Sequence, residues 1–166
     1  MKPKYRTGIG YDVHRLAPGN GIVLGGVAIQ ATVSVVAHSD GDVLLHAICD
    51  ALLGAAALRD IGYHFPDSNQ RYKGISSLEL LKHVAGLIQS HGYTVCNVDS
   101  VVILEKPKIG AYVDRMCAEI AAALGIDSSL VSVKATTSEG LGFTGTGEGI
   151  AAEAVAMIES IEEKNM

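Results

Sequence analysis

The residues best suited to chemistry gather in one stretch, Ala37-His38-Ser39-Asp40-Gly41-Asp42-Val43-Leu44-Leu45-His46-Ala47-Ile48-Cys49-Asp50, which continues in small apolar residues to Ala57. From Val43 onward the apolar residues point all round a helix, the pattern of a helix buried on every side. Asp42, His46 and Asp50 stand within it at i, i+4 and i+8, so successive side chains turn by about 40° and form one narrow polar stripe. Buried charges need partners, because an unpaired one is too costly to keep. Two readings are open. In one, His38, Ser39 and Asp40 cap the first turn and Asp50 orients His46 in an internal hydrogen-bond network. In the other, the stripe belongs to a metal site with an anion at the helix start.

The stripe finds a partner near the N-terminus. Over residues 5–16, Ile9, Tyr11 and Val13 alternate with Gly10, Asp12 and His14 at the period of a strand, so Asp12 and His14 share a face. Such a pair is commonplace alone. If its face meets the stripe, Asp12, His14 and His46 supply one carboxylate and two imidazoles, a set suited to zinc with a fourth position open, which is the mark of a catalytic metal.

Two further segments suit anions. The strand pattern of residues 130–137 runs into Ser138-Glu139-Gly140-Leu141-Gly142-Phe143-Thr144-Gly145-Thr146-Gly147-Glu148-Gly149, where hydroxyls, a carboxylate and close-set glycines can bring side chains and amides to a phosphate, or simply make tight turns. It matches no Walker motif. In Lys106-Pro107-Lys108, Pro107 is placed to open a helix over 109–124, so two lysines flank a helix start that either attracts an anion or is merely solvated.

The elements that must hold these groups follow from pattern. Residues 22–29 read as a hairpin arm that breaks at Gly25-Gly26, with no chemistry assigned. Residues 59–77, with Asp60, His64, Asp67 and Asn69, lack periodicity and read as a loop. Ser76 or Ser77 caps the next helix, which buries Leu80, Leu81, Val84, Leu87 and Ile88, leaves His83 on its surface and ends at His91-Gly92. Residues 93–105 are β-branched on both faces, as in a central strand. Over 150–161 the alanines favour a helix, yet small and larger residues alternate.

Composition sets the frame. A chain of 166 residues suits one domain, 1–166, with a single core. It is 48% hydrophobic but only 19% charged and 5% aromatic, a surplus of small apolar residues that predicts burial between subunits. The net charge of −5 argues against a nucleic-acid binder, so any phosphate must be met locally. Cys49, Cys96 and Cys117 form no C-x-x-C pair and read as reduced core residues. With neither a signal sequence nor an apolar run of membrane length, the expectation is a soluble cytoplasmic protein with no membrane partner.

The blocks D-V-H at 12–14, A-H-S-D-G-D at 37–42, D-A-L-L-G-A-A-A at 50–57, D-I-G at 60–62, F-P-D at 65–67 and K-A-T-T-S-E-G-L-G-F-T-G at 134–145 together resemble the 2-C-methyl-D-erythritol 2,4-cyclodiphosphate synthases, ring-closing enzymes of the non-mevalonate isoprenoid pathway. The resemblance runs nearly end to end. It implies an α/β (α+β) fold, a mixed β-sheet with helices packed on one face, assembled as a homotrimer with its sheets around a threefold axis and active sites between subunits. It also makes 150–161 a strand. The implied cofactors are Zn²⁺, or another divalent transition metal, on Asp12, His14 and His46, and Mg²⁺ or Mn²⁺ on Glu139. His38 and Thr137 would donate hydrogen bonds in the transition state, and Asp42 or Asp50 would support the histidine ligands.

The same resemblance assigns the substrate contacts. Ser39 positions the substrate, Asp60 and Gly62 touch the sugar from a flap, and Phe65 and Asp67 lie close by. Leu104, Lys108, Ile109 and Gly110 belong to the cytidine pocket, with the base read by backbone groups and Lys108 near the phosphates. Thr136 and Thr137 bind the diphosphate, Ala135 and Phe143 count among the substrate contacts, and Phe143 with Glu148 lines an axial cavity that accepts an isoprenoid diphosphate in the family. The implied reaction is cyclisation of 4-diphosphocytidyl-2-C-methyl-D-erythritol 2-phosphate with loss of CMP. Two alternatives use the same residues: a zinc phosphoesterase with water as nucleophile, and a non-enzymatic trimeric binding module with a closed structural metal. The flap and cytidine pocket speak against the first, and a set of only three ligands against the second.

Overall fold

The computed structural model describes residues 3–37, 39–66 and 74–161. Five strands form one mixed sheet in the order β4-β1-β7-β5-β6, where β1 is Tyr5–Pro18, β4 Val33–Val36, β5 Tyr93–Ile103, β6 Val131–Thr136 and β7 Gly149–Ser160. β5 and β6 run parallel, and the other neighbours are antiparallel. Two short strands, β2 (Ile22–Leu24) and β3 (Val27–Ile29), pair separately as a hairpin. Its turn is Gly25-Gly26, both at positive φ, a conformation that glycine adopts without a steric penalty.

The helices α1 (Val43–Ala55), α3 (Ser77–Ser90) and α4 (Val113–Leu124) cover one face of the sheet. α1 lies directly on β1 and β7 and carries α3 on its far side. The close approach has a local cause. A Cβ on Gly8 would overlap the carbonyl oxygen of Ala51, and one on Gly10 that of Ala47, so two glycines on the strand accept the alanine side of the helix without a gap. The remaining sides of α1 meet apolar neighbours, and Leu44, Leu45, Ile48, Leu52 and Leu53 are fully buried, as the all-round apolar pattern predicts.

β7 is a strand, as the resemblance implied against local propensity. Ala152, Ala154, Ala156 and Ile158 face inward and are buried, while Glu153 and Val155 face outward and are exposed. Alanine suits the inward row because α1 packs against it, and tertiary contact outweighs a weak helix preference. Among the described residues none of these three helices covers the sheet's other face, where a short helical turn, Gly142–Gly145, lays Phe143 against Gly149. Ile9 (71% exposed), Tyr11 and Val13 on β1 and Val155 on β7 stand there in adjacent rows.

Three element readings are corrected. Residues 59–77 are not entirely loop, because Asp60 caps a single helical turn, α2 (Ile61–His64), by accepting from the Tyr63 amide at 2.9 Å. α4 begins only at Val113, after a 3-10 turn at Gly110–Tyr112, so Pro107 does not open a helix and the two lysines flank a turn instead. β4, which the sequence reading passed over, pairs with the end of β1. No helix among the described residues is long and apolar enough to cross a membrane.

Candidate active site

Asp12 and His14 occupy the α1-facing side of β1, just beyond Gly10, and His46 adjoins the Ala47 that Gly10 receives. The glycine contact therefore sets the helix at the height where its histidine reaches the strand's two ligands. His46 Nδ1 lies 3.0 Å from Asp12 Oδ2 and 3.2 Å from His14 Nε2, and His14 Nε2 lies 3.2 Å from Asp12 Oδ2. Three donor atoms thus form a nearly equilateral triangle. Tetrahedral zinc with bonds of about 2.0 Å needs ligand atoms about 3.3 Å apart, so the triangle matches one face of such a site. Among the described residues this is the one group of His, Cys, Asp and Glu that could hold a metal.

Electrostatics agree with that use. Burial by itself would raise the Asp12 carboxyl, but the hydrogen bonds and charges of His14 and His46 outweigh it and hold the group well below the usual carboxylate range. Burial likewise disfavours a charged His46, yet Asp12 prevails and raises the imidazole above its ordinary value. The triad opens on a cavity of about 490 Å³ lined also by Val36, Ala37, Ser39, Ile61, Gly62, Phe65, Pro66, Ile75 and Leu80. A charged cluster on an otherwise apolar wall suits a small polar ligand.

The polar stripe of α1 proves to be three separate contacts. Asp42, fully buried, is the N-cap: it accepts from Leu45 N at 3.1 Å and also from Gly25 N (3.0 Å) and Gly26 N (2.8 Å) of the hairpin turn. Burial nonetheless pushes its carboxyl up to about 6. Asp50 accepts from Ile61 N at 2.8 Å and so anchors α2. Neither acid supports a histidine ligand, and Asp42 caps the helix in place of Ser39 and Asp40. Behind His46 stands Ser77 instead, its Oγ 3.0 Å from Nε2, and behind Ser77 stands Asp40. Sequence reading missed both as partners because they lie 37 residues apart; the signal available was a second serine beside a helix cap that needs only Ser76.

The other predicted residues lie at a second corner. Asp12, Ala152, Val102 and Ala135 stand on one row across β1, β7, β5 and β6, so three strand spacings, about 14 Å, separate the triad from the end of β6. There Thr137 Oγ1 donates to Glu139 Oε1 at 2.8 Å, and Glu139 holds a left-handed φ of 52°, a strained backbone for a residue with a side chain. Glu105, which sequence reading also missed, accepts from Ser138 N at 2.9 Å and ties this turn to the 104–110 segment; an acid at the end of the strand parallel to β6 was the available signal. Thr136, Lys108 and Gly110 are exposed, whereas Leu104 and Ile109 are buried, so only their backbone can meet a ligand. Phe143 does not line the main cavity but a smaller hollow of about 240 Å³ with Val13, His14, Arg15, Glu148 and Gly149. Ser39 and Gly62 line the main cavity; Asp60 is at its edge as the cap of α2. His38, Asp67 and Asn69 fall outside the described residues.

Comparison with known proteins places this geometry. The YgbB family model matches residues 5–159. A 2-C-methyl-D-erythritol 2,4-cyclodiphosphate synthase of Alkaliphilus oremlandii is 58% identical over 153 residues, which cover 92% of this chain and 98% of that protein. Among solved structures, the bifunctional IspDF of Campylobacter jejuni superposes with a TM-score of 0.91 at 39% identity, covering 96% of this chain and 43% of that longer one. IspF of Plasmodium falciparum, solved as a CDP complex, gives a TM-score of 0.85 at 34% identity and covers 98% of this chain and all of that one (100%).

Proposed function

Since the chain belongs to the YgbB family, that of the 2-C-methyl-D-erythritol 2,4-cyclodiphosphate synthases, we infer that it is such a synthase: it closes the cyclic diphosphate of 4-diphosphocytidyl-2-C-methyl-D-erythritol 2-phosphate and releases CMP. An oxygen of the 2-phosphate forms a bond to the β-phosphorus, the bond from that phosphorus to the bridging oxygen breaks, and CMP departs with the bridging oxygen. A phosphate is already an anionic nucleophile, so the enzyme needs no strong base, only positioning and neutralisation of charge. The observation that carries this reading is the donor triangle of Asp12, His14 and His46, with sides of 3.0–3.2 Å, opening on the cavity.

In this reading Asp12, His14 and His46 would hold zinc or another divalent transition metal, and Glu139 would offer one carboxylate, a hard oxygen ligand, to Mg²⁺ or Mn²⁺. When bound, the two cations withdraw charge from the diphosphate oxygens. Ser39 orients the erythritol end from the cavity wall. Gly62 leaves room for it, and Asp60, Phe65 and Asp67 border it. Thr137, with His38, donates hydrogen bonds to the phosphoryl oxygens that gain charge, and Thr136 and Ala135 flank them. The exposed backbone of 104–110 reads the cytosine, with Lys108 near the phosphates.

One chain carries both corners but does not close them around one cavity. A homotrimer whose sites are shared between neighbours accounts for this and also covers the apolar row of Ile9, Tyr11, Val13 and Val155. The experiment is a ³¹P NMR time course on the diphosphocytidyl substrate with Mg²⁺, comparing the zinc-loaded protein with His46→Ala. Cyclic diphosphate and CMP should appear and be lost at least about 1000-fold in the variant. Inorganic phosphate in their place would overturn the assignment.

A further inference from the structure

We propose that Ser77 and Asp40 form a buried relay that holds the His46 imidazole in the tautomer and orientation in which Nδ1 presents its lone pair beside Asp12 and His14. The proposal rests on the reading of those three residues as metal ligands. Its direction follows from donor and acceptor counting. Asp40 Oδ1 lies 2.5 Å from Ser77 Oγ, and a carboxylate can only accept, so the single hydroxyl proton of Ser77 belongs to that bond. Ser77 Oγ then has only lone pairs for His46 Nε2 at 3.0 Å, so Nε2 must carry the proton. A neutral imidazole protonated at Nε2 has its lone pair on Nδ1, the nitrogen 3.0 Å from Asp12 Oδ2 and 3.2 Å from His14 Nε2.

Asp40 is itself held on both oxygens. Oδ2 accepts from Ser77 N at 2.8 Å and Oδ1 from Asp42 N at 3.2 Å, so the segment leading into α1 is fastened to the start of α3. A capping role does not explain Ser77, because Ser76 is the N-cap of α3 and accepts from Leu78 N. Ser77 is fully buried, which leaves His46 Nε2 as the purpose of its lone pair. Metal-binding histidines commonly donate their second N–H directly to a carboxylate or carbonyl, and removal of that partner weakens the metal site. Here a serine stands between the histidine and the carboxylate and lets two helices share the task.

The test measures Zn²⁺ binding to metal-free protein by competition with a chromophoric chelator, for the parent, Ser77→Ala, Asp40→Asn, their combination and His46→Ala. Ser77→Ala should weaken Zn²⁺ by about 10- to 100-fold. Asp40→Asn should act in the same direction by less, and should add less in the Ser77→Ala background than alone, since the two lie in one chain of bonds. In ¹⁵N-histidine spectra of the zinc-loaded protein, the parent should show a protonated Nε2 on His46 whose proton exchanges faster in Ser77→Ala. Unchanged Zn²⁺ affinity in Ser77→Ala, with only a lower melting temperature of the metal-free protein, would overturn the relay. If Ser77→Ala fails to fold, unchanged affinity in Asp40→Asn, which keeps the side chain's shape, overturns it equally. Unchanged affinity in His46→Ala would instead overturn the metal reading on which the proposal stands.

Discussion

The two corners of the molecule to which the proposed reaction is assigned are built in opposite ways. At the triad, every donor sits on a long element, β1 or α1, and these are pressed together by Gly8 and Gly10 on one side and Ala47 and Ala51 on the other. At the far corner, Thr137 and Glu139 ride on a turn beyond β6 that is fastened at Ser138 by the Glu105 carboxylate and the Thr144 hydroxyl, and the face around them is open. On the proposed reading, the difference teaches that a single chain completes its metal corner and leaves its phosphate corner unfinished. Rigid elements hold ligand atoms to within tenths of an ångström, as coordination requires. In the proposed assembly, the phosphate corner would only have to meet a substrate carried on the neighbouring subunit's metal.

The largest effect should come from separating the corners. Ile9→Arg places a charge in the exposed apolar row, so the protein should sediment as a monomer and lose at least about 100-fold in activity, yet bind Zn²⁺ as the parent does. An active monomer would break the comparison. Gly10→Ala attacks the metal corner from within: the added Cβ meets the Ala47 carbonyl, so α1 must shift. Urea unfolding should show a loss of about 3 kcal/mol, together with weaker Zn²⁺ binding.

Smaller effects should separate the corners more finely. Glu105→Ala leaves Ser138 N without its acceptor and loosens the Thr137 turn, which then keeps its bond from Ser138 to Thr144, so kcat/KM should fall about 10-fold while Zn²⁺ affinity stays as it was. The smallest is a pH effect. Asp12 raises the proton affinity of His46, and a proton on Nδ1 must leave before a metal binds, so Zn²⁺ affinity should fall as pH drops through and below neutrality. The sign is fixed: the raised imidazole is protonated below its folded-state value, and the loss should be absent in alkaline buffer. A chelator titration at several pH values measures it.

Local pattern made much of this visible. Alternation put Asp12 and His14 on one face of β1, and helical spacing put His46 on the buried stripe, so the triad needed only the assumption that the two faces meet. The C-terminal strand was different, because Ala151, Ala152 and Ala154 speak for a helix until α1 is known to lie on them. What stayed hidden were bonds between distant segments: Gly25 and Gly26 on Asp42, Ile61 on Asp50, Ser77 on Asp40, Ser138 on Glu105. The stripe announced that three polar groups required partners, but a one-dimensional pattern cannot say that the partners are three and unrelated. Pro107 misled for a similar reason. Its ring suits a helix start, but the chain first makes the Gly110–Tyr112 turn.

The central claim is that the triad of one chain works with the Thr137 corner of another. It is tested most directly by mixing two inactive proteins, His46→Ala and the double variant Thr137→Ala, Glu139→Ala, co-expressed in equal amounts and assayed for cyclic diphosphate. Random assembly of a ring of subunits gives a site with both corners intact about one time in four, so the mixture should recover up to about a quarter of the parent activity. Mixed assemblies that form and remain as inactive as either variant alone would contradict the shared site.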